Sequence, residues 1–337
     1  MDRSKPLLSV NDLSVDFRID RKTTLHAVRH VSFEIYPEET LGILGESGCG
    51  KSVTCMSILQ LNPARTTTYP TGSILFEGED LLTLNGKQMQ HIRGNKISMI
   101  FQEPMTALNP LYTIGNQLLE AIRIHNPNME RADAKDMVLE ALNSVRIPNP
   151  DLIFDSYPFT LSGGMLQRSM IAMAMLAKPK LLICDEPTTA LDVTIQAQVL
   201  ELMNDLKEKE KTSIIFVTHD LGVINEMSDR VMVMYGGRKC EEGDAVEVFL
   251  HPAHPYTKGL IASHPSPDYT GRRLPTIPGN VPSLRDMPKG CPFNNRCSKA
   301  SDRCQDEFPA YETVGGNHCA ACFAPESVKE AAEDGTV

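Results

Sequence analysis

Short apolar runs alternate with stretches of helical period over the first 250 residues of this chain. Residues 8–17, 31–35 and 41–44 mix apolar and polar positions in short runs that predict strands, and 72–77 (Gly-Ser-Ile-Leu-Phe-Glu) predicts another. Residues 97–101, Ile-Ser-Met-Ile-Phe, read as a buried strand ending at Gln102. From 112 to 145 the period changes. Ile114, Leu118, Leu119 and Ile122, then Met137, Val138, Ala141 and Leu142, recur at helical spacing. Pro104, Pro110, Pro127 and Pro148 punctuate this region, which predicts a helical insertion between two halves of an α/β core. Residues 162–176 predict a second helix with a small, apolar body, and 195–209 an amphipathic one. Residues 181–184 and 213–218 read as buried strands. Apolar strands alternating with helices imply a mostly parallel sheet covered on both faces. Beyond 251 Pro and polar residues rise and helical periodicity fades, which predicts a linker and a small appended domain. The last dozen residues read as disordered.

The candidate chemistry sits at the ends of these strands. Gly45-Glu46-Ser47-Gly48-Cys49-Gly50-Lys51-Ser52 follows the apolar run 40–44 and precedes 53–61, which can continue as a helix. The spacing is that of a phosphate loop. Glycines let backbone N–H groups turn inward around a phosphate, and the helix N-terminus adds its positive end. Lys51 is then placed to reach the β- and γ-phosphates, and the Ser52 hydroxyl to ligate Mg²⁺. The bland alternative, a Gly-rich turn, does not account for the strand–loop–helix setting. The apolar strand 181–184 ends in Asp185 and Glu186. After a phosphate loop, Asp185 is expected to hold Mg²⁺ through water and Glu186 to orient or deprotonate an attacking water, rather than to be a solvated strand end. Ser162 is a good helix N-cap, but Gly163 and Gly164 are poor helix formers for a first turn. They make sense where a backbone or an anion approaches closely.

Composition narrows the setting. The 337 residues suffice for one large domain or two modest ones. No stretch approaches the ~20 apolar residues needed to span a bilayer, and residues 1–8 lack the apolar core of a secretory signal. The expectation is a cytosolic chain whose membrane role, if any, is peripheral. A net charge of −10 argues against a partner such as nucleic acid. Of nine cysteines, Cys49, Cys55, Cys184 and Cys240 are scattered, whereas Cys291, Cys297, Cys304, Cys319 and Cys322 crowd the end of the chain. In a reducing compartment disulfides are not expected. Structural thiols are the bland reading. Five thiols without a sizeable core predict thiolate ligation of metal. Zinc usually shows paired Cys-x2-Cys knuckles, and only Cys319/Cys322 has that form, so a [4Fe–4S] cluster is expected, with zinc as the alternative.

The motif set resembles the ATP-binding cassette (ABC) family. Leu161-Ser162-Gly163-Gly164-Met165-Leu166-Gln167-Arg168 is similar to the signature motif that separates this family from other phosphate-loop enzymes. Phe101-Gln102-Glu103-Pro104 resembles the Q-loop, Ala190-Leu191-Asp192 the D-loop, and His219 the switch histidine that contacts the γ-phosphate. Phe17 resembles the aromatic that stacks on adenine, although residues 18–25 make the spacing longer than usual. The resemblance implies that Gln102 contacts Mg²⁺ and the attacking water, that Asp192 lies at the nucleotide, and that the intact Glu186 supports hydrolysis. It implies an ABC-type α/β nucleotide-binding domain over 1–254. That domain has an N-terminal antiparallel β subdomain and a helical insertion at about 103–165. A small Cys-rich domain over 255–325 and a tail over 326–337 follow.

Within that family, the strings 102–110, 191–198 and 254–257 resemble the D-type ATPase of bacterial oligopeptide and dipeptide importers, with nickel and glutathione importers close by. The resemblance implies two transmembrane permeases, a related F-type ATPase and an extracytoplasmic substrate-binding protein as partners. A permease would rest near 105–112. ATP would be clamped between the phosphate loop of one ATPase and Ser162-Gly163-Gly164 of the other. Carried onto the tail, it implies Cys291, Cys297, Cys304 and Cys322 as cluster ligands and Cys319 as a spare. A soluble cassette ATPase acting on ribosomes or DNA is the alternative of another class. Against it stand the single cassette and the lack of sustained heptads between Lys51 and Ser162. A second alternative is a metal-dependent regulator in which the cassette only senses nucleotide.

Overall fold

Wholly apolar strands are built for burial on both faces, and the chain places them in two units that interleave in sequence. The computed structural model describes residues 5–102, 107–189, 191–264 and 274–326. One unit comprises the residues up to Leu8, Ile35–Thr40 and Phe76–Val217; the other comprises Ser9–Glu34, Leu41–Leu75 and the chain from Thr218 onward.

In the first unit the strands Ile97–Ile100, Leu181–Asp185 and Ser213–Thr218 lie side by side and parallel, pairing Ile100 with Cys184 and Asp185 with Val217. Almost every residue in them is buried, as continuous apolar runs require. Helices Ile114–His125, Arg131–Ser144 and Pro150–Phe154 form the predicted insertion. Thr113 caps the first by accepting the Asn116 N–H at 3.3 Å, and Ile114, Leu118, Leu119 and Ile122 bury one face. The second buries Ala134, Val138 and Leu142, while Met137 faces outward. Gly115 lets the ring of Phe154 close on the first helix, since a Cβ there would stand 2.4 Å from that ring. Helices Gly163–Met175 and Val193–Glu210 complete the unit.

In the second unit, strands Leu8–Arg18, Thr24–Ile35 and Ser73–Phe76 form a small sheet, with Thr67–Thr68 antiparallel to the first of them. The strand Thr40–Leu44, which feeds the phosphate loop, runs parallel to Arg230–Tyr235. That strand turns back antiparallel as Arg238–Asp244, and His318–Ala320 and Glu312–Gly315 follow.

The α/β class and the helical insertion agree with expectation. Among the described residues, the strand Arg238–Asp244 is one that the sequence pattern does not foresee. Glu241 is fully buried, yet its carboxylate receives the Ala253 and His254 N–H groups and pairs with His318 at 2.6 Å. Glu242 pairs with Arg230 at 3.1 Å and Lys239 at 2.6 Å. Satisfied carboxylates let a polar sequence form an inner strand. Helix Pro255–Ala262, also unforeseen, has Pro at its first turn and His254 as its cap. Glu103, Pro104, residues 105–106, Ala190 and the tail from 327 lie outside the described residues. Among the described residues no helix is long and apolar enough to cross a membrane.

Candidate functional site

The phosphate loop of the second unit is shaped by contacts that only glycine permits. A Cβ on Gly45 would stand 2.3 Å from the Met234 carbonyl oxygen, so the strand Arg230–Tyr235 sets where the loop begins. Gly48 and Gly50 have φ of 79° and 102°, in the region that side chains disfavour. Lys51 opens helix Lys51–Ile58 and is only 5% exposed. Its Nζ donates to the Gly45 carbonyl at 2.7 Å and the Glu46 carbonyl at 3.2 Å, with Cys49 Sγ at 3.9 Å. None of these partners is an anion. An ammonium curled over its own loop in this way is suited to receive an anion. Burial, above all, pushes the Cys49 thiol up, so this loop cysteine stays protonated. Ser47 and Gly48 are exposed at the tip.

Two side chains that sequence reasoning did not associate with the loop also hold it. The Glu46 N–H donates to Tyr256 Oη at 2.8 Å. The Glu46 carboxylate takes a two-point bond from Arg296, at 2.7 and 3.1 Å. Thus Glu46, expected as a nucleotide contact, spends its carboxylate on Arg296. In the same unit Phe17 is half-buried on its strand, opposite Thr67, and His219 is exposed directly after Thr218.

The first unit carries the carboxylates. Asp185 ends its strand and is buried, and Glu186 follows in a left-handed conformation at φ 49°. Glu186 accepts a bond from Gln102 Nε2 at 3.0 Å and one from Thr189 Oγ1 at 3.1 Å. Adjacent parallel strands therefore bring the Q-loop glutamine and the expected base together. Ser162 caps helix Gly163–Met175 by accepting the Met165 N–H at 3.4 Å. Gly164 lies against helix Val193–Glu210, where a Cβ would come 3.0 Å from Ile195. Gly163 is exposed, and a Cβ there would meet nothing closer than Leu191 at 4.0 Å, so packing does not demand its glycine. Asp192 caps helix Val193–Glu210 by accepting the Ile195 N–H at 2.9 Å.

The expected iron–sulfur centre, and zinc in its place, must be corrected. Among the described residues no group of three or more His, Cys, Asp or Glu side chains is placed to hold a metal ion. Cys291, Cys297, Cys304 and Cys322 do line one cavity of about 250 Å³, together with Phe293 and Pro309. The setting favours thiols over thiolates. Burial pushes Cys291 up to about 11 and also raises Cys297 and Cys322. Cys304 Sγ accepts from the Ser301 N–H at 3.5 Å, and Cys319 lies apart, beside the Thr313 hydroxyl. The spacing of the cysteines along the chain was compatible with ligation but did not dictate it.

Residues 28–189 match the ABC transporter family, and residues 240–304 match the family described as oligopeptide/dipeptide transporter, C-terminal region. The chain is 48% identical over 324 residues to a Sinorhizobium fredii protein named "Probable peptide ABC transporter ATP-binding protein y4tR", covering 96% of each. It is 47% identical over 324 residues to the Bacillus subtilis "Dipeptide transport ATP-binding protein DppD", again 96% of each. A solved dimeric ATP-binding cassette, MJ0796 in a post-hydrolysis state bound to ADP and Pi, matches 71% of this chain and 98% of its own. It does so with a TM-score of 0.63 at 24% identity, a likeness of fold.

Proposed function

Because this chain belongs to the ABC transporter family of ATPases, we propose that it is the ATP-hydrolysing subunit of a peptide importer, peripheral on the cytoplasmic face of the membrane. The observation that carries this reading is near-full-length similarity to peptide-transport ATP-binding proteins, with a match to the peptide-transporter C-terminal region beyond the cassette. That match favours peptides over nickel or glutathione as cargo. Residues 1–254, with the insertion at about 103–165, are the ATPase part, and 255–325 the appended part.

The proposed chemistry assigns one task to each group. The phosphate loop, Gly45 to Ser52, wraps the triphosphate, and Lys51 supplies the positive charge. Phe17 stacks on the base. Ser52, Asp185 and Gln102 present a hydroxyl, a carboxylate and an amide carbonyl. These are hard oxygen donors, and they fit Mg²⁺. When bound, that ion neutralises charge developing on the phosphates. Glu186, held by Gln102 and Thr189, orients the water and takes its proton. His219 contacts the γ-phosphate. Gly163 and Gly164, with the Ser162 cap and Asp192, face the nucleotide of a second ATPase subunit, here a related F-type chain. Nucleotide binding then favours the closed pair and hydrolysis loosens it, which switches the two permeases. A substrate-binding protein delivers the peptide.

The test uses the complex reconstituted with its permeases. Glu186→Gln is expected to slow hydrolysis by about 10²-fold or more and, with Mg·ATP, to hold the two ATPase subunits together as seen by crosslinking. Unchanged hydrolysis removes Glu186 as the base. Subunits that never pair under saturating Mg·ATP overturn the clamped-nucleotide reading. Peptide uptake that survives the loss of hydrolysis overturns the motor role.

A further inference from the structure

Glu46 poses an electrostatic problem. It stands in the loop that the nucleotide reading assigns to a polyanion, where a carboxylate left without a cation would repel phosphate oxygens. Arg296 meets it with every donor of its guanidinium engaged. Nη1 and Nη2 bind the two carboxylate oxygens at 2.7 and 3.1 Å. Nη1 also reaches Tyr235 Oη at 3.2 Å, Nε donates to the Pro278 carbonyl at 2.9 Å, and Nη2 donates to the Ile277 carbonyl at 3.5 Å. The side chain is 5% exposed, and the Tyr235 and Phe293 rings flank it at 5.8 and 5.9 Å. A fork fixed on all sides in this way is pre-organised to orient as well as to neutralise.

Arg296 ends the short turn Asn294–Arg296, immediately before Cys297, far along the chain from the loop it grips. We propose that Arg296 is a positioning residue for nucleotide binding. It neutralises Glu46 and holds the phosphate loop in its receptive shape, so that ATP affinity depends on the C-terminal segment. The competing account is mechanical: Arg296 only fastens that segment in place. The two differ in what removing the Glu46 charge does. This inference rests on the nucleotide-binding reading above.

The experiment is titration of the purified full chain with fluorescent ATP, alongside thermal melts. Arg296→Ala is expected to weaken binding about tenfold by leaving a carboxylate unpaired. Adding Glu46→Gln to Arg296→Ala restores most of the affinity while the melting temperature stays low. The deficit of Arg296→Ala shrinks as salt is raised. Arg296→Lys, which keeps the charge but not the fork, falls between the two and serves if the alanine variant does not fold. Wild-type affinity in Arg296→Ala, or no recovery on adding Glu46→Gln, overturns the proposal. Lys51→Ala separates the two levels. If it binds ATP as well as wild type, the nucleotide reading falls. If it loses binding while Arg296→Ala does not, only this inference falls.

Discussion

At the scale of single residues, the phosphate loop depends on backbone that side chains resist. Gly48 and Gly50 both have left-handed φ, but their surroundings differ. A Cβ on Gly48 would meet nothing within 4 Å, whereas one on Gly50 would lie 3.0 Å from the Ala27 carbonyl. Gly48→Ala should therefore cost only the conformational term, about 1–2 kcal/mol, and lower the melting temperature by about 2–4 °C per kcal/mol. Gly50→Ala adds crowding against backbone and should lower it further, with weaker ATP binding. Paired melting curves check the order, and equal losses would show that crowding at Ala27 is relieved without cost. The special backbone is also why this loop was legible in the sequence, since its glycines mark themselves by spacing. Arg296 and Tyr256 were not legible. Nothing local in either segment points to Glu46, because their meeting depends on how the strands from 230 to 244 bring the C-terminal segment back.

At the scale of elements, caps and periodicity explain what could be read and what could not. The helix from Ile114 showed its apolar face in the sequence because that face is built from aliphatic side chains. The strand Arg238–Asp244 did not, because its inward positions include Glu241, which is satisfied by His318 and two backbone N–H groups. The cysteine spacing misled for a related reason: spacing limits how far thiols can separate but does not fix which atoms face one another. Helix Pro255–Ala262 supplies an element-scale prediction. Its cap His254 is buried and accepts the Tyr256 N–H on Nδ1 at 3.1 Å. Burial drives its pKa down to about 4, against a smaller upward pull from Glu241. A folded pKa below the unfolded value means that the unfolded chain takes up the proton first. The neutral-state stability is thus complete above about pH 6.5 and is lost as pH falls toward 4, by about 2 kcal/mol at pH 5. His254→Asn keeps a capping acceptor without a titrating ring. Its melting temperature should fall less than that of wild type between pH 7 and pH 5. Parallel curves for the two proteins would show that His254 does not carry this dependence.

At the scale of the whole molecule, the sequence conveyed the alternation of strands and helices but not the interleaving of two units. That arrangement arises from long-range pairing such as Thr40–Leu44 beside Arg230–Tyr235, which no local pattern encodes. Function at this scale lies in what the surface offers to other chains. In the first unit Leu111 and Tyr112 are 78% and 57% exposed, ahead of the insertion's first helix. Adjacent large apolar side chains left in water are a feature of docking surfaces, and single exposed residues elsewhere are ordinary. They fall in the stretch where a permease is expected to rest. Because both side chains are mostly exposed, replacing both with aspartate should change stability by no more than about 0.5 kcal/mol per site. The same change would place two charges in an apolar contact, where unpaired charge is costly. The expected outcome is an unaltered melting temperature for the double variant Leu111→Asp/Tyr112→Asp, together with loss of co-purification with the permeases from membranes. Retention of the permeases at wild-type yield would move the docking surface elsewhere on the molecule, while a lowered melting temperature would show that these side chains serve the fold instead.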